Sequence, residues 1–385
     1  MIFHKLLKLT VLYVVALFFS SLSPVDFPVE FIEQLYVESI PESHEYILGG
    51  DIGGTNSCFG IFSIDNNKPV LLVTLKTDSQ KIVNFSNVVK QILETIKEKY
   101  KITIKQACIG GPGPTSPNKD FSKSYWMPSA IDAKDIIKNT GLERVIIIND
   151  FEIVGYGIDL INPADLIKLN DIKPRPLAPK AIIGAGTGLG TALMIWSEAR
   201  NHYQSLGLGG GLLGFVPQTP IEREMADYLK TTLSRHVSWG NILSGSRGIP
   251  RIYEFLGTTG RYDPTMTLEE THPAAIFNNR TQSPRCQDTV DLFMLFYARF
   301  IREFALLTQS YGGLYIAGGV AAKNIPLFQK LSFLNQVQTS ESEVAQNILK
   351  QVPLYLIADY NVSLYGAAQY LLLENTDNCS SVIPH

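Results

Sequence analysis

A strand–turn–strand pattern built around a glycine-and-threonine corner occurs twice in this chain of 385 residues. The first copy, YILGGDIGGTNSCFGIFSI, begins at Tyr46, and the second, AIIGAGTGLGTALMIW, begins at Ala181. In each copy two apolar runs of strand length flank the glycines, as expected of a tight turn between buried strands. Similarity at a separation of about 130 residues indicates two related halves. Because a chain of this length exceeds what one hydrophobic core usually supports, we predict two domains.

Helix and strand patterns alternate through both halves, which predicts an α/β fold. Apolar residues recur at helical spacing from 82 to 100, the buried strand RVIIIND follows, and a long apolar helix precedes LYIAGGV. We predict a small N-terminal α/β domain over 45–160 and a larger C-terminal α/β domain over 161–373. Residues 25–44, with two prolines, are predicted to be a linker, and residues 374–385 a tail.

The segment 1–24 differs in character from the rest of the chain. Lys5 and Lys8 precede an apolar run from Leu9 to Phe19, which small residues follow. This pattern is typical of a signal peptide or a short anchor, although the run is shorter than the ~20 residues of a spanning helix. A simple N-terminal extension is the alternative. Export or membrane association therefore depends on this segment alone.

Composition excludes several classes of function. The formal net charge is −3, and no block or stripe of Lys and Arg occurs, so nucleic acid is not an expected partner. The four cysteines are far apart and form no CxxC pair, which argues against a zinc knuckle or a disulfide framework. A reducing compartment, the cytoplasm, is the expected location of the folded part.

The first corner carries residue types suited to a nucleotide phosphate. A short apolar strand ends at Asp51, and the glycines that follow let backbone N–H groups approach a phosphate closely. The carboxylate can hold Mg²⁺ through water, because magnesium favours one or two carboxylates and retained waters. Taken alone, a plain hairpin turn explains this corner equally well. The predicted phosphate and metal residues are Gly50, Asp51, Ile52, Gly53, Gly54 and Thr55.

Two later turns are further candidates for nucleotide contacts. The segment GAGTGLG fits neither the dinucleotide fingerprint nor the P-loop, yet it can present N–H groups and a hydroxyl to a β- or γ-phosphate. The segment AGGVAAKN is a Gly-Gly turn that opens a helix, on which a nucleoside can lie. Each turn alone is a weak signal, whereas the three in this order are much stronger. The predicted residues are Gly186, Thr187 and Gly188, then Gly318 and Gly319.

Asp150 is the candidate catalytic base. It ends the apolar strand RVIIIND, where a carboxylate needs a functional or structural reason. A base beside a substrate hydroxyl is one such reason, and an N-cap of the following helix is the other. The neighbouring Asn149 can offer its amide to a substrate hydroxyl or cap the same turn.

Together, the motifs GGDIGGTN, IINDF, GAGTGLG, LSG and YIAGGV resemble the bacterial glucokinase family of the sugar kinase, actin and Hsp70 superfamily. The resemblance runs from about Tyr46 to Tyr370 and implies an actin-like ATPase fold, related to ribonuclease H, with a nucleotide cleft between two domains. It implies ATP and Mg²⁺ as cofactors, a small-molecule sugar as partner, and Asp150 as base toward the glucose 6-hydroxyl. Family members are often homodimers. This chain lacks the cysteine zinc cluster of the related repressor/kinase group and looks like the zinc-free branch.

The glycine-rich run SLGLGGGLLGFVP departs from the family pattern. In the family, an E-G-G-H segment before xFxP grips the ring hydroxyls of glucose, and its Glu and His fall here at Gly209 and Leu212. A second family Glu falls at Gly240. Gly209 and Gly240 therefore mark substrate positions without their side chains, and Asn149 and Asp150 are the polar sugar contacts that the resemblance leaves.

Four charged or titratable residues near these motifs have structural explanations as well. Glu222 and Glu224 are the acids nearest to the glycine-rich run. They begin a predicted helix and are expected to be solvated. His236 can contact an acceptor, but a surface or core role is favoured. Lys323, after the Gly-Gly turn, either meets a nucleotide phosphate or lies in solvent at a helix start.

Two functions follow from this pattern. The first is an ATP-dependent sugar kinase that resembles glucokinase but has weak or altered acceptor choice. Phosphoryl transfer needs mainly positioning and charge stabilisation, which the retained loops can supply. The alternative is a catalytically impaired nucleotide-binding homologue with a regulatory role, which the three substituted sugar-site positions favour. An actin- or Hsp70-like ATPase is a third reading that the motif spacings disfavour.

Overall fold

Two mixed β-sheets with surrounding helices make up the part of the chain that the computed structural model describes. These residues are 28–380, without 44, 126, 264, 266 and 270. The predicted signal or anchor segment, 1–24, lies outside the described residues. Among the helices of the described part, none is both long and apolar enough to cross a membrane.

The first sheet combines an antiparallel meander with parallel strands. Its strands are β1 (Ile32–Leu35), β2 (Tyr46–Ile52), β3 (Asn56–Asp65), β4 (Lys68–Asp78), β5 (Gln106–Gly111) and β8 (Arg144–Asn149), while β6 (Phe121–Ser122) and β7 (Ile131–Asp132) form a separate ribbon. The order is β1–β4–β3–β2–β5–β8. The strands β2, β3 and β4 are antiparallel neighbours, and β5 and β8 extend the sheet parallel to β2.

The second sheet repeats this order. Its strands are β9 (Leu166–Lys168), β10 (Lys180–Ala185), β11 (Leu189–Ser197), β12 (His202–Leu208), β13 (Gly313–Ala317) and β14 (Leu354–Ile357). The order is β12–β11–β10–β13–β14–β9, with β10, β11 and β12 antiparallel and β13 and β14 parallel to β10. Five strands of each sheet therefore follow one topology, and the internal repeat predicted from the two corners is confirmed.

Helices cover the sheets and begin where the sequence supplies capping side chains. Asn84, Asp132 and Ser283 accept hydrogen bonds from backbone N–H groups at the starts of α1, α2 and α8, which satisfies donors that a helix end leaves free. The α-helices are α1 (Phe85–Tyr100), α2 (Ala133–Thr140), α3 (Asp150–Gly157), α4 (Pro220–Leu233), α5 (Trp239–Leu243), α6 (Gly248–Thr258), α7 (Pro273–Asn278), α8 (Pro284–Thr308), α9 (Gly319–Lys323), α10 (Ile325–Phe328), α11 (Leu331–Gln338), α12 (Glu343–Leu349) and α13 (Val362–Ser380).

Helices α3 and α13 join the two halves of the protein. Each follows the last parallel strand of its own half, β8 or β14, and α3 contributes apolar side chains to the cores on both sheets. The two helices cross closely, because a Cβ on Gly157 would lie 1.9 Å from the Val362 carbonyl oxygen. A Cβ on Gly366 would lie 1.7 Å from the Ile153 carbonyl oxygen. Only glycine permits this approach, so the crossing fixes α13 against the helix that begins at Asp150.

The structure differs from the predicted domain boundaries at both ends. Strand β1 lies within the predicted linker 25–44 and pairs with β4. The sequence did not indicate this strand, because its four residues are mostly exposed. The C-terminal domain was predicted to extend over 161–373, but most buried side chains of α13 join the core on the first sheet, while Val362 packs with the second. The helix also continues to Ser380, so most of the predicted tail 374–385 is helical as far as the description extends.

Candidate active site

The two predicted glycine-and-threonine corners meet at one point. Thr55 lies in the turn between β2 and β3, and Thr187 lies in the turn between β10 and β11. Their side-chain oxygens are 3.0 Å apart. The duplicated fold therefore places its two corners face to face, as required of two loops that hold one polyphosphate chain.

Protein contacts fix the backbone of the first corner. The Gly53 N–H donates to the Asn56 carbonyl at 3.0 Å, and the Ser79 hydroxyl donates to the Gly53 carbonyl at 2.6 Å. The Gln80 side-chain amide donates to the Gly54 carbonyl at 2.7 Å. The short 3-10 helix after β4 thus braces this turn, and the sequence patterns gave no sign of that role.

The three predicted residues before the corner lie in β2 and have different surroundings. Gly50 and Ile52 are buried, so they can offer only backbone groups to a ligand. The Asp51 side chain is partly accessible, and Ser363, at the start of α13, donates a hydrogen bond to its Oδ2 at 2.5 Å. Burial raises the pKa of Asp51, and the Ser363 hydrogen bond opposes that rise.

The second corner is braced by the segment that carries the LSG motif. The Gly186 N–H donates to the Gly188 carbonyl at 2.8 Å, and the Gly245 N–H donates to the Gly186 carbonyl at 2.7 Å. The Ser246 hydroxyl donates to the Thr187 carbonyl at 2.9 Å. A Cβ at Gly186 or Gly188 would meet no atom within 4 Å, so open space lies beside both glycines.

The Gly-Gly turn lies beside the second corner. Gly318 has a φ of 91°, in the region that favours glycine. A Cβ there would lie 3.0 Å from the carbonyl oxygen of Ala185, the last residue of β10. Gly319 begins α9 and has no atom within 4 Å of its Cβ position. The third predicted nucleotide segment therefore lies beside the second, at the same end of the second sheet.

Asp150 is the first residue of α3, and its carboxylate is only partly accessible. Its Oδ1 accepts hydrogen bonds from the Phe151 N–H at 3.0 Å and from the Asn149 side-chain amide at 2.9 Å. Burial raises the pKa of Asp150 to about 7, and repulsion from the Asp51 carboxylate adds to the rise. A carboxyl group with this pKa can accept and release a proton near neutral pH, as a general base must.

The Asn149 amide is committed to the protein itself. As N-cap of α3, its Oδ1 accepts from the Phe151 N–H at 2.9 Å and the Glu152 N–H at 3.2 Å. Its Nδ2 donates to the Gly113 carbonyl at 3.1 Å and to Asp150 at 2.9 Å. An asparagine amide has two donor hydrogens and two acceptor lone pairs. The structure therefore shows the cap that the sequence offered as the alternative, and the sugar contact of Asn149 stays a prediction.

The three positions at which the sequence predicts lost sugar contacts lie together in what we call the substituted wall: Gly209, Leu212 and Gly240. A Cβ on Gly209 would lie 3.6 Å from Leu212 Cδ1. A Cβ on Gly240 would lie 2.7 Å from the Gly211 carbonyl oxygen, so glycine permits this close backbone approach. Leu212 is 84% exposed. The wall thus presents backbone and one leucine, without a charged side chain at these three positions.

Strand β12 connects the substituted wall to Asp150. A Cβ on Gly207 would lie 2.8 Å from the Asn149 Oδ1, so the end of β12 packs directly on the residue before Asp150. The wall begins two residues later, at Gly209. The acid and the wall therefore border the same region, at the start of α3.

Glu222 is buried, contrary to the expectation that it is solvated. Its side chain is 3% exposed and that of Arg299 is 4% exposed, and Arg299 Nη1 donates to Glu222 Oε2 at 2.8 Å. The same oxygen accepts from the Gln218 N–H at 2.6 Å, and Arg299 Nη2 donates to the Val216 carbonyl at 2.9 Å. The pair thereby ties α4 and α8 to the loop that follows Leu212. A partner so distant in sequence is what the local pattern could not reveal.

The remaining charged candidates are at the surface. Glu224 and His236 are exposed, and His236 shares an open concavity with Lys230 and Arg235. Lys323 is exposed at the end of α9. Their surroundings agree with the solvated alternative that the sequence offered for each.

The donor set fits a metal–nucleotide complex better than a metal held by protein alone. Among the described residues, no group of three or more His, Cys, Asp and Glu could hold a metal ion. Magnesium needs only one or two carboxylates when waters and phosphate oxygens complete its octahedron. Asp51 and Asp150 are close enough for their charges to interact, and they border the corners where a polyphosphate would lie.

A duplicated α/β core with facing glycine corners and a half-buried acid near them defines a protein of the actin-like ATPase fold. The family model described as Glucokinase matches residues 48–374. The glucokinase of Nostoc punctiforme is 30% identical over 345 residues, which cover 84% of this chain and 97% of that protein. The chain belongs to the glucokinase family.

Solved structures agree with this fold. The glucokinase from Balamuthia mandrillaris in complex with glucose superposes with a TM-score of 0.71 at 20% identity, covering 86% of this chain and 94% of that one. A ROK family glucokinase from Streptomyces griseus in complex with glucose and AMPPNP superposes with a TM-score of 0.58 at 16% identity, covering 84% and 98%. The predicted actin-like fold and the predicted family are thus confirmed.

Proposed function

We propose that the protein is an ATP-dependent hexose kinase that transfers the γ-phosphoryl group to the 6-hydroxyl of glucose or a related hexose. Membership of the glucokinase family supports the reaction class. The observation that carries the proposal is the site: two facing corners, with Thr55 and Thr187 in contact, beside an acid whose pKa is near neutral. An acid with a purely structural role would gain no stability from partial burial beside a second carboxylate.

In the proposed reaction Asp150 takes the proton of the acceptor hydroxyl. The freed oxygen forms a bond to the γ-phosphorus as the bond from that phosphorus to the β,γ-bridging oxygen breaks, and ADP leaves with that electron pair. Because the Gly53 and Gly186 N–H groups donate within their own turns, the N–H groups of the other corner residues and the threonine hydroxyls hold the phosphates in line, which is most of what a kinase must supply. We assign the phosphate contacts to Gly53–Thr55 and Gly186–Gly188, and the nucleoside to Gly318 and Gly319.

We assign the Mg²⁺ position to Asp51, through water. When bound, the metal ion neutralises developing charge on the β- and γ-phosphate oxygens. The chain's part is to keep the Asp51 carboxylate oriented beside the first corner. ATP fits the same assignment, because the open space beside Gly186 and Gly188 can admit phosphate oxygens close to the backbone.

We further propose that the acceptor site is altered at the substituted wall. Replacing two carboxylates and an imidazole by Gly209, Gly240 and Leu212 removes hydrogen bonds to charged groups, each of which contributes about 1.5–3 kcal/mol. Because such losses are not additive, we take the combined loss as about 4 kcal/mol or more, which is roughly a thousandfold in affinity. Glucose should therefore bind weakly, and an acceptor with an apolar face toward Leu212 should be tolerated.

The experiment is ATP-dependent phosphorylation by the purified full chain, with a panel of hexoses and deoxyhexoses and coupled detection of ADP. Asp150→Ala should abolish turnover, while Asp227→Ala, an exposed acid on α4, should leave it unchanged. Turnover that survives Asp150→Ala refutes Asp150 as the base. Nucleotide binding without phosphorylation of any sugar refutes the kinase.

That last outcome would favour the second candidate, a catalytically impaired nucleotide-binding homologue with a regulatory role. Only the substituted wall supports it. A double substitution, Gly209→Glu with Leu212→His, separates the two candidates, since no atom crowds the Gly209 Cβ position apart from Leu212 itself. If the site is otherwise competent, the KM for glucose should fall about tenfold or more. Gly214→Glu, which adds the same charge at a nearby exposed and uncrowded glycine, is the matched control.

The cellular location and the oligomeric state of the enzyme are also proposals. Because ATP is the phosphoryl donor, we place the catalytic part in the cytoplasm, and we take a homodimer as the assembly to test by light scattering. N-terminal sequencing of the mature protein tests whether residues 1–24 are removed or kept as a membrane attachment.

A further inference from the structure

We propose that Ser363 is a positioning residue for Asp51, and that its hydroxyl fixes the orientation in which the carboxylate faces the metal–nucleotide site. The inference rests on the proposed function in one respect, since it takes Asp51 as the carboxylate on the Mg²⁺ side. It adds a residue from the opposite end of the chain, 312 positions away, to the machinery of the first corner.

The contact itself is short and shielded. Ser363 Oγ lies 2.5 Å from Asp51 Oδ2, and the Ser363 residue is 4% exposed. Hydrogen bonds to an ionised carboxylate are shorter and stronger than neutral ones. Among the described contacts, this is the only hydrogen bond that reaches the Asp51 side chain.

Ser363 is itself held in place by backbone packing. It lies in the first turn of α13, next to Val362, whose carbonyl oxygen lies against Gly157 of α3. Gly366, one turn further, lies against the Ile153 carbonyl. Because neither glycine position has room for a side chain, α13 and α3 pack backbone against backbone at this crossing. The donor to Asp51 therefore lies on a helix that packs closely against the helix beginning at Asp150.

A purely structural explanation also exists, in which the acid merely satisfies a buried hydroxyl. The two explanations differ in what the carboxylate does without its donor. If Ser363 only needs a partner, removing the hydroxyl leaves Mg²⁺ binding unchanged. If Ser363 orients Asp51, removing the hydroxyl lets the carboxylate rotate and weakens the Mg²⁺-dependent part of nucleotide binding by about tenfold, as expected for a lost hydrogen bond to a charged group.

The test is isothermal titration of ATP into the full chain over a series of Mg²⁺ concentrations. For Ser363→Ala we expect unchanged ATP affinity without Mg²⁺ and a Mg²⁺ midpoint about tenfold higher than in wild type. Ser363→Thr, which keeps a hydroxyl at the same position, should restore the midpoint. Ser310→Ala is the matched control, because that buried serine hydroxyl has no hydrogen-bond partner.

The outcomes distinguish this inference from the function on which it rests. If wild type shows no Mg²⁺-dependent ATP binding, the proposed function fails and the inference falls with it. If wild type binds and Ser363→Ala has the same Mg²⁺ midpoint, or loses metal-free ATP affinity equally, only the inference is overturned. A shifted midpoint that threonine does not restore also overturns it, since the hydroxyl would then not be the cause.

Discussion

Replacing the proposed base by its neutral isostere should stabilise the protein while it abolishes catalysis. Burial and the Asp51 carboxylate raise the pKa of Asp150 from 3.8 to about 7. The folded protein therefore pays an electrostatic penalty whenever this group is ionised. In Asp150→Asn the amide oxygen can still accept from the Phe151 N–H and the Asn149 amide, which Asp150 Oδ1 does now. The substitution removes the charge and keeps these acceptor contacts.

The size of the stabilisation and the pH range over which it develops follow from the linkage between proton binding and folding. Between the unfolded and the folded pKa the folded state retains a proton that the unfolded state has lost, so the stability of wild type falls as pH rises from about 4 to 7 and is level above that. A difference of about three pKa units corresponds to roughly 4 kcal/mol. Because the side chain is partly accessible, solvent screening reduces this to about 1–2 kcal/mol.

The assay is thermal unfolding of both proteins without ligand across a pH series. Asp150→Asn should match wild type near pH 3, below the unfolded pKa, and unfold a few degrees higher at pH 8, since 1 kcal/mol shifts the Tm of a sizeable domain by roughly 2–4 °C. Asp227→Asn, an exposed acid on α4, should show no such pH-dependent gain. A Tm difference that is constant with pH, or a variant that is less stable than wild type at pH 8, refutes the reasoning.

Three further outcomes follow from the same geometry. The kcat/KM for the acceptor should fall below about pH 7, because Asp150 must be ionised to take the proton; a rate profile that is flat through this region contradicts that role. Gly157→Ala should destabilise the fold by about 2 kcal/mol or more, because its Cβ would lie 1.9 Å from the Val362 carbonyl oxygen. Gly214→Ala, with open space at its Cβ position, should be near neutral in the same denaturant titration. Arg299→Ala should cost about 3–5 kcal/mol in the free energy of unfolding, because it leaves a buried carboxylate unpaired; a loss below 1 kcal/mol in a urea titration would show that water replaces the guanidinium.

Features that depend on local backbone chemistry could be predicted from the sequence. The corners around Thr55 and Thr187 combine strand periodicity with glycine turns, and the repeat of that pattern indicated the duplicated topology before any contact was known. The placement of Asp150 at the end of a buried strand was visible for the same reason. In each case a short run of residues determines the local conformation. Contacts with residues that are distant in sequence only bring the finished turns and strands together.

Features that depend on distant partners could not be predicted. Glu222 looked solvated because its partner Arg299 is 77 positions away on another helix. The hydrogen bond from the Asn149 amide to the Gly113 carbonyl could not be foreseen, because that carbonyl belongs to another loop. The crossing of α13 onto the first sheet depends on the close approach at Gly157, which no helical periodicity encodes.

The substituted wall, at which we propose that sugar contacts are lost, has a buried support. The Arg299 guanidinium carbon lies 5.0 Å from the ring centroid of Phe215 and 4.9 Å from that of Trp239, which is adjacent to Gly240. A buried ion pair adds little net stability over a well-packed apolar group, so its main effect is to fix geometry. The pair therefore specifies the position of the wall independently of the wall's own chemistry. It follows that charged side chains introduced at Gly209 and Leu212 would enter backbone that is already ordered, and their effect on glucose affinity would measure the proposed sugar contacts rather than a repaired fold.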